Sequence, residues 1–151
     1  MRFLYRPAIT YSPETGTPTL ILRPEIPIRV TGPLASVLLR ALVDTGADNT
    51  VLPQSVADHC GVELVAGQGP GLELFGGQKI VTLFGDVDLE LQEGSETIRW
   101  QTRVQFFDFP SPEDESLVFG HAGFLDFFSA TFDGQLGELT LVVNSDLSAS
   151  V

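Results

Sequence analysis

An apolar pair, Leu42-Val43, runs straight into Asp44-Thr45-Gly46-Ala47-Asp48-Asn49 and leaves through Thr50-Val51-Leu52-Pro53. A chain written this way must hold a carboxylate on a tight turn between two apolar segments. Incomplete hydration of an ionised carboxylate is costly, so such a turn ordinarily carries small or neutral residues at its tip. Asp44 therefore marks either an ordinary Asx-type turn or a carboxylate that is put to use. The pattern occurs once. Asp133-Gly134 has different residues after it, and Asp126 lies in an aromatic run.

Composition sets the surroundings of that turn. With 151 residues the chain is expected to be one domain, long enough to bury roughly two-thirds of its unfolded surface. Hydrophobic residues make up 43%, and 15 glycines with 10 prolines cut them into short pieces, which points to an all-β domain. The lone cysteine, Cys60, has no partner for an internal disulfide and fits a reducing compartment. Met1 to Pro7 is too short and interrupted for a secretory signal, and no apolar run approaches the roughly 20 residues that span a bilayer. The expected location is the cytoplasm. A formal charge of −12, with Lys79 the one lysine, argues against nucleic acid or an anionic membrane as partner.

Alternating apolar residues over Phe3 to Ile9 and Thr19 to Leu22, around Ser12-Pro13-Glu14-Thr15-Gly16, predict an N-terminal hairpin. Ile26 to Val30 and Ser36 to Val43 predict the next two strands, the second ending at Asp44. Pro53 near a helix start and Gly61 just past its end predict a short helix between them. Glycine-rich Gly67 to Gly77 reads as a mobile hairpin before a strand over Ile80 to Phe84. Asp86 to Leu91 and Ile98 to Phe107 read as another hairpin across Glu93-Gly94-Ser95. Phe109 to Glu115 is a surface loop and Leu117 to Gly120 a short buried strand. His121 to Phe128 reads as a two-turn helix with Phe124, Leu125 and Phe128 on one face. Thr131-Phe132 and Leu139 to Val143 close the domain, and Ser145 to Val151 is expected to fray.

From Leu42 to Leu52 the sequence follows, at nearly every position, the active-site signature of the retropepsin-like aspartic proteases: an apolar pair, Asp-Thr/Ser-Gly-Ala, a polar pair and an apolar run. Leu117-Val118-Phe119-Gly120 resembles that family's second apolar-apolar-Gly element, which packs beneath the catalytic turn. Pro18-Thr19-Leu20-Ile21-Leu22-Arg23-Pro24 resembles the amino-terminal strand of its viral members. The resemblance covers about Pro18 to Val143. It implies an all-β acid-protease fold, a closed β-barrel with a flap hairpin and one or two short helices, in a single domain over 1–151. Residues 1–16 are then an N-terminal extension or hairpin, either paired with Thr19 to Leu22 or removed as a leader.

Aspartic proteolysis needs two carboxylates, one protonated to donate and one ionised to activate a water. With a single Asp-Thr-Gly per chain, the second must be Asp44 of another copy, which implies a two-fold homodimer with its site on the axis. Asp44 is the expected catalytic residue. Resemblance gives Thr45 a hydrogen bond across the axis, against a local turn bond as the alternative. Gly46 allows a bound peptide to approach the backbone. Ala47, Asp48 and Asn49 match positions that meet substrate, and Gly76 and Gly77 are candidates for the flap tip. Leu42, Val51, Ile80 and Val118 line apolar subsites or belong to the core. Viral members brace the aspartate at position 48 with an arginine where this chain has His121. Histidine has fewer donors, so its brace is expected to be weaker unless Arg23 of the partner chain supplies the charge, and a plain packing role for His121 is the alternative.

No metal or cofactor is implied. Asp44, Gly46, Asp48, Asn49 and Ser55 fall in the wrong register for a calcium loop, and His59 and His121 are too few for zinc. The implied activity is that of an aspartic endopeptidase acting on extended peptides. The alternative is a non-catalytic peptide-binding or dimerisation module with the same fold.

Overall fold

The computed structural model of the chain describes residues 1–69, 72–73 and 79–145. In chain order its elements begin with β1 (Arg2–Leu4), β2 (Arg6–Tyr11), β3 (Pro18–Arg23), β4 (Glu25–Thr31), β5 (Ser36–Val43) and β6 (Val51–Pro53). The helix α1 (Gln54–Cys60), β7 (Val65–Ala66), β8 (Leu72–Glu73) and β9 (Lys79–Ile80) follow. The last are β10 (Leu83–Glu93), β11 (Glu96–Phe107), β12 (Val118–Phe119), β13 (Phe128–Asp133) and β14 (Glu138–Val143). Six of these strands close a barrel in the order β11-β6-β12-β5-β4-β10, with β10 pairing back onto β11. The pairings are mixed: β11 with β6 and β12 with β5 run parallel, the others antiparallel. The expected all-β closed barrel is what forms.

Period-two alternation explains the barrel. Ile26, Ile28 and Val30 of β4 and Val87, Leu89 and Leu91 of β10 point inward and are essentially inaccessible. Trp100, Val104 and Phe106 of β11 join them. The opposite face of β10 carries charge. Its register sets Asp86 against Arg103 and Glu90 against both Arg99 and Arg29, and each of these three opposed pairs is an ion pair. Opposite charges across strands stabilise a pairing register. The helix α1 forms where proline and glycine bracket it, and Gly61 closes it at φ 70°. Val56, Ala57 and Cys60 are its buried residues, and burial pushes the Cys60 thiol pKa up.

Four expectations are corrected. The strand over Ile80 to Phe84 does not form as one element, since Ile80 ends β9 and Leu83 opens β10. The N-terminal hairpin does not start at Phe3. Residues 2–4 instead form β1 along β14, because Phe3 is buried opposite Leu139 and the Tyr5 N-H is held by Gly137 O at 2.7 Å; only β2 and β3 make the hairpin. The last hairpin is longer than expected, β13 starting at Phe128, with its turn fixed by Asp133 Oδ1 accepting from the Gln135 and Leu136 amides. The helix over His121 to Phe128 is absent. A single 3-10 turn, Leu125–Phe127, stands in its place. Gly123 takes φ 90° and Phe124 φ −137°, so the backbone leaves helical geometry before a first turn can close.

At the expected glycine-rich hairpin, β8 and β9 pair antiparallel. Gly76 and Gly77 lie outside the described residues, as do residues 146–151. Among the described residues no helix is long and apolar enough to cross a membrane.

The Asp86 carboxylate accepts from Arg103 Nε at 2.9 Å and Nη2 at 3.1 Å, which holds it below the usual carboxylate range. Its contribution to stability is therefore present above the unfolded value of about 3.9 and is lost as pH falls through the lower native value. Arg103→Gln should move the Asp86 midpoint up toward that value in a carboxyl-carbon NMR titration. Both groups are exposed, so thermal stability at neutral pH should barely change; an unmoved midpoint would deny Arg103 its part.

Candidate active site

β5 delivers Asp44. The strand is fixed on both sides up to its last residue: the Leu42 amide donates to Leu117 O at 2.9 Å and the Val43 amide to Pro24 O at 3.0 Å. The Asp44 amide then donates to Phe119 O at 3.0 Å, so β12 anchors the turn from the neighbouring strand position. The chain reverses at once. Asp44 Oδ1 accepts from the Gly46 amide at 2.8 Å, and Asp44 O accepts from the Ala47 amide at 3.2 Å. The carboxylate is half-buried, with Thr45 and Gly46 exposed beside it. Among the described residues only its Oδ1 is hydrogen-bonded, and the Thr45 hydroxyl makes no local turn bond.

A second segment clamps the turn. The His121 amide donates to Ala47 O and the Ala122 amide to Asp48 O, both at 2.9 Å, while the Thr50 amide donates to Ala122 O at 3.0 Å. Asn49 and Ala122 form a parallel bridge. This proximity is possible because residue 120 is glycine: a Cβ there would lie 2.4 Å from Asn49 O and 2.6 Å from Ala47 O. Beneath the clamp, Phe119 and Phe124 stack at 4.3 Å between centroids, and Trp100 Nε1 donates to Gly123 O at 3.2 Å. Aromatic packing of this kind fixes a segment that has no regular hydrogen-bond ladder of its own.

His121 is placed differently from a brace on Asp48. Its Nε2 lies 2.9 Å from Thr45 O. A carbonyl can only accept, so Nε2 carries the proton and the ring is a donor to the Asp44 turn. Among the described residues no ion pair within the protomer involves Asp48 or Arg23. Asp48 and Asn49 are both exposed.

Leu42, Val51 and Val118 come together. Val118 is opposite Leu42 on one side and Val51 on the other, and all three are half-buried, with Val43, Phe119 and Leu52 turned into the core. They form an apolar strip bordering the turn. Ile80 lies in β9, paired with Leu72. Asn49 also lines a cleft of about 240 Å³ with Gly67, Gln68, Thr82, Phe84 and Gln105. Phe84 and Gln105 were not legible as site residues, since in sequence they are ordinary members of alternating strands. A larger cavity of about 480 Å³, lined by Glu63, Asp86 and Arg103 among others, contains no residue of the turn.

No protein-family model matches the chain, and no curated protein matches it. Among solved structures it is similar to the EIAV protease complexed with the inhibitor HBY-793. The identity is 24% over 74% of this chain and 88% of that one, with a TM-score of 0.45. A likeness at that level speaks to neither activity nor partners.

Gly120→Ala should destabilise the fold by about 1–3 kcal/mol, the usual range for overpacking, because backbone carbonyls, not a flexible side chain, obstruct the new methyl. Chemical denaturation measures this. An unchanged midpoint would mean that the two segments are not held at this distance.

Proposed function

We propose that the chain is a retropepsin-like aspartic endopeptidase, active as a homodimer in which two Asp44 carboxylates activate one water. The observation that carries the reading is the turn itself. A half-buried aspartate, held by its own backbone amide on Phe119 O and by the Gly46 amide on Oδ1, keeps the rest of its carboxylate for a second partner. Two such groups side by side cannot both ionise, and the pair shares a proton. One oxygen then takes a proton from water as the other donates to the scissile carbonyl.

The chain's residues divide the remaining work. Gly46 and the backbone of Ala47 to Asn49 offer an exposed rim to an extended peptide, while Leu42, Val51 and Val118 present apolar surface to side chains near the cleavage point. Gly76 and Gly77 are the proposed flap tip, with Ile80 at its base. Thr45 is proposed to bond across the axis, and Arg23 to reach Asp48 of the partner subunit. A non-catalytic peptide-binding or dimerisation module is the second reading, favoured by one observation: within the protomer Asp48 has no cationic brace among the described residues.

Asp44→Asn separates the two. The amide oxygen of Asn can still accept from the Gly46 amide, so the variant should fold and associate as the parent does. Peptide hydrolysis should fall by at least about 100-fold, the lower range for loss of a general acid-base group. A peptide-library digest read by mass spectrometry supplies the assay, and cleavage by the variant at the parent rate would overturn the endopeptidase reading.

A further inference from the structure

The β2–β3 hairpin is built inside out. Its register pairs Pro7 with Leu22, Ile9 with Leu20 and Tyr11 with Pro18, so these six side chains share one face. Every one of them is exposed: Ile9 and Leu20 to 69%, Tyr11 to 66% and Leu22 to 56%. The other face pairs Arg6 with Arg23, Ala8 with Ile21 and Thr10 with Thr19, and four of those six are partly covered. Ordinary alternation on a hairpin resting on a core would put the apolar side down and the polar side out. Here it is reversed.

That face is large for a monomer. Large side chains carry on the order of 150–250 Å² each, so these exposures leave roughly 500–600 Å² of contiguous apolar surface, at the upper limit of what single chains display. A partner in a stable complex contributes about 800 Å², so the hairpin alone is the greater part of one side of such an interface. A two-stranded hairpin is also marginal until a further layer covers it, and β2 and β3 pair with no other strand among the described residues.

We propose that this face docks against a second copy of the same chain, hairpin to hairpin, and that it supplies the main apolar contact of the dimer. The choice of occupant rests on the proposed half-site at Asp44, which is incomplete without a second copy. The hairpin is joined directly to that site: β3 ends at Arg23, and the next carbonyl, that of Pro24, holds the Val43 amide beside Asp44. A self-complementary patch so close to the catalytic turn can lie around the same two-fold axis. The two hairpins then form a small two-layer sandwich.

The test uses the full chain. Ile9→Glu/Leu20→Glu and Ile9→Lys/Leu20→Lys place like charges on a face that meets itself, at positions whose side chains touch no core. Each variant should keep the parent's far-UV circular dichroism and melt no lower than the parent diluted until it is monomeric, and in sedimentation equilibrium its dimer dissociation constant should rise by at least about 100-fold. Mixed in equal amounts, the acidic and basic variants should recover a dimer that neither forms alone, which capture of a different protein or a lipid surface would not produce. A parent that stays monomeric, or variants that dimerise as the parent does, would overturn the proposal. The outcome is separable from the endopeptidase reading. A dimer broken by these charges in a parent that cleaves nothing keeps the interface and removes the protease, whereas an active dimer indifferent to them does the reverse.

Discussion

The site depends on a contact between two backbones. Gly120 lets the segment from Phe119 to Ala122 lie against Ala47, Asp48 and Asn49, so that amides of one strand end satisfy carbonyls of the other turn. A turn of six residues leaving a buried strand exposes several unpaired polar groups, each costly if left dry. Three of those groups are answered by this one neighbour, and His121 answers a fourth with its ring on Thr45 O. Without the approach, only the turn's own bonds, from the Gly46 amide to Asp44 Oδ1 and the Ala47 amide to Asp44 O, would orient Asp44 beyond the strand end.

The barrel exists to make that approach possible. β12 is only two residues long, yet it fits between β5 and β6, parallel to one and antiparallel to the other. It fixes where β5 ends and where β6 begins, and hence the span the Asp44 turn must cross. The inward side chains of β4, β10 and β11 fill the interior so that neither neighbour can drift. Phe119 serves both levels: its carbonyl anchors the Asp44 amide while its ring stacks on Phe124.

Local pattern made most of this readable. Strict alternation placed β4, β5, β10 and β11, and paired proline and glycine placed α1. The turn at Asp44 was legible because its residues are constrained one by one. What failed, failed for tertiary reasons. His121 to Phe128 has helical spacing of its aromatics, but the parallel bridge of Ala122 to Asn49 and the positive φ of Gly123 take the backbone out of helical geometry, facts that no local window contains. Phe3 alternates with the residues after it, yet its partner is Leu139, more than a hundred positions away. Phe84 and Gln105 join a cleft with Asn49 only because β6 lies parallel to β11.

Trp100 is the chain's only tryptophan, and its indole N-H is held by Gly123 O while its ring lies 5.9 Å from that of Phe124. The molecule thus carries a native fluorophore wired to the segment that steadies its carboxylate turn. Any loosening there alters the polarity and quenching felt by one indole, so the state of that support can be followed optically without attaching a label.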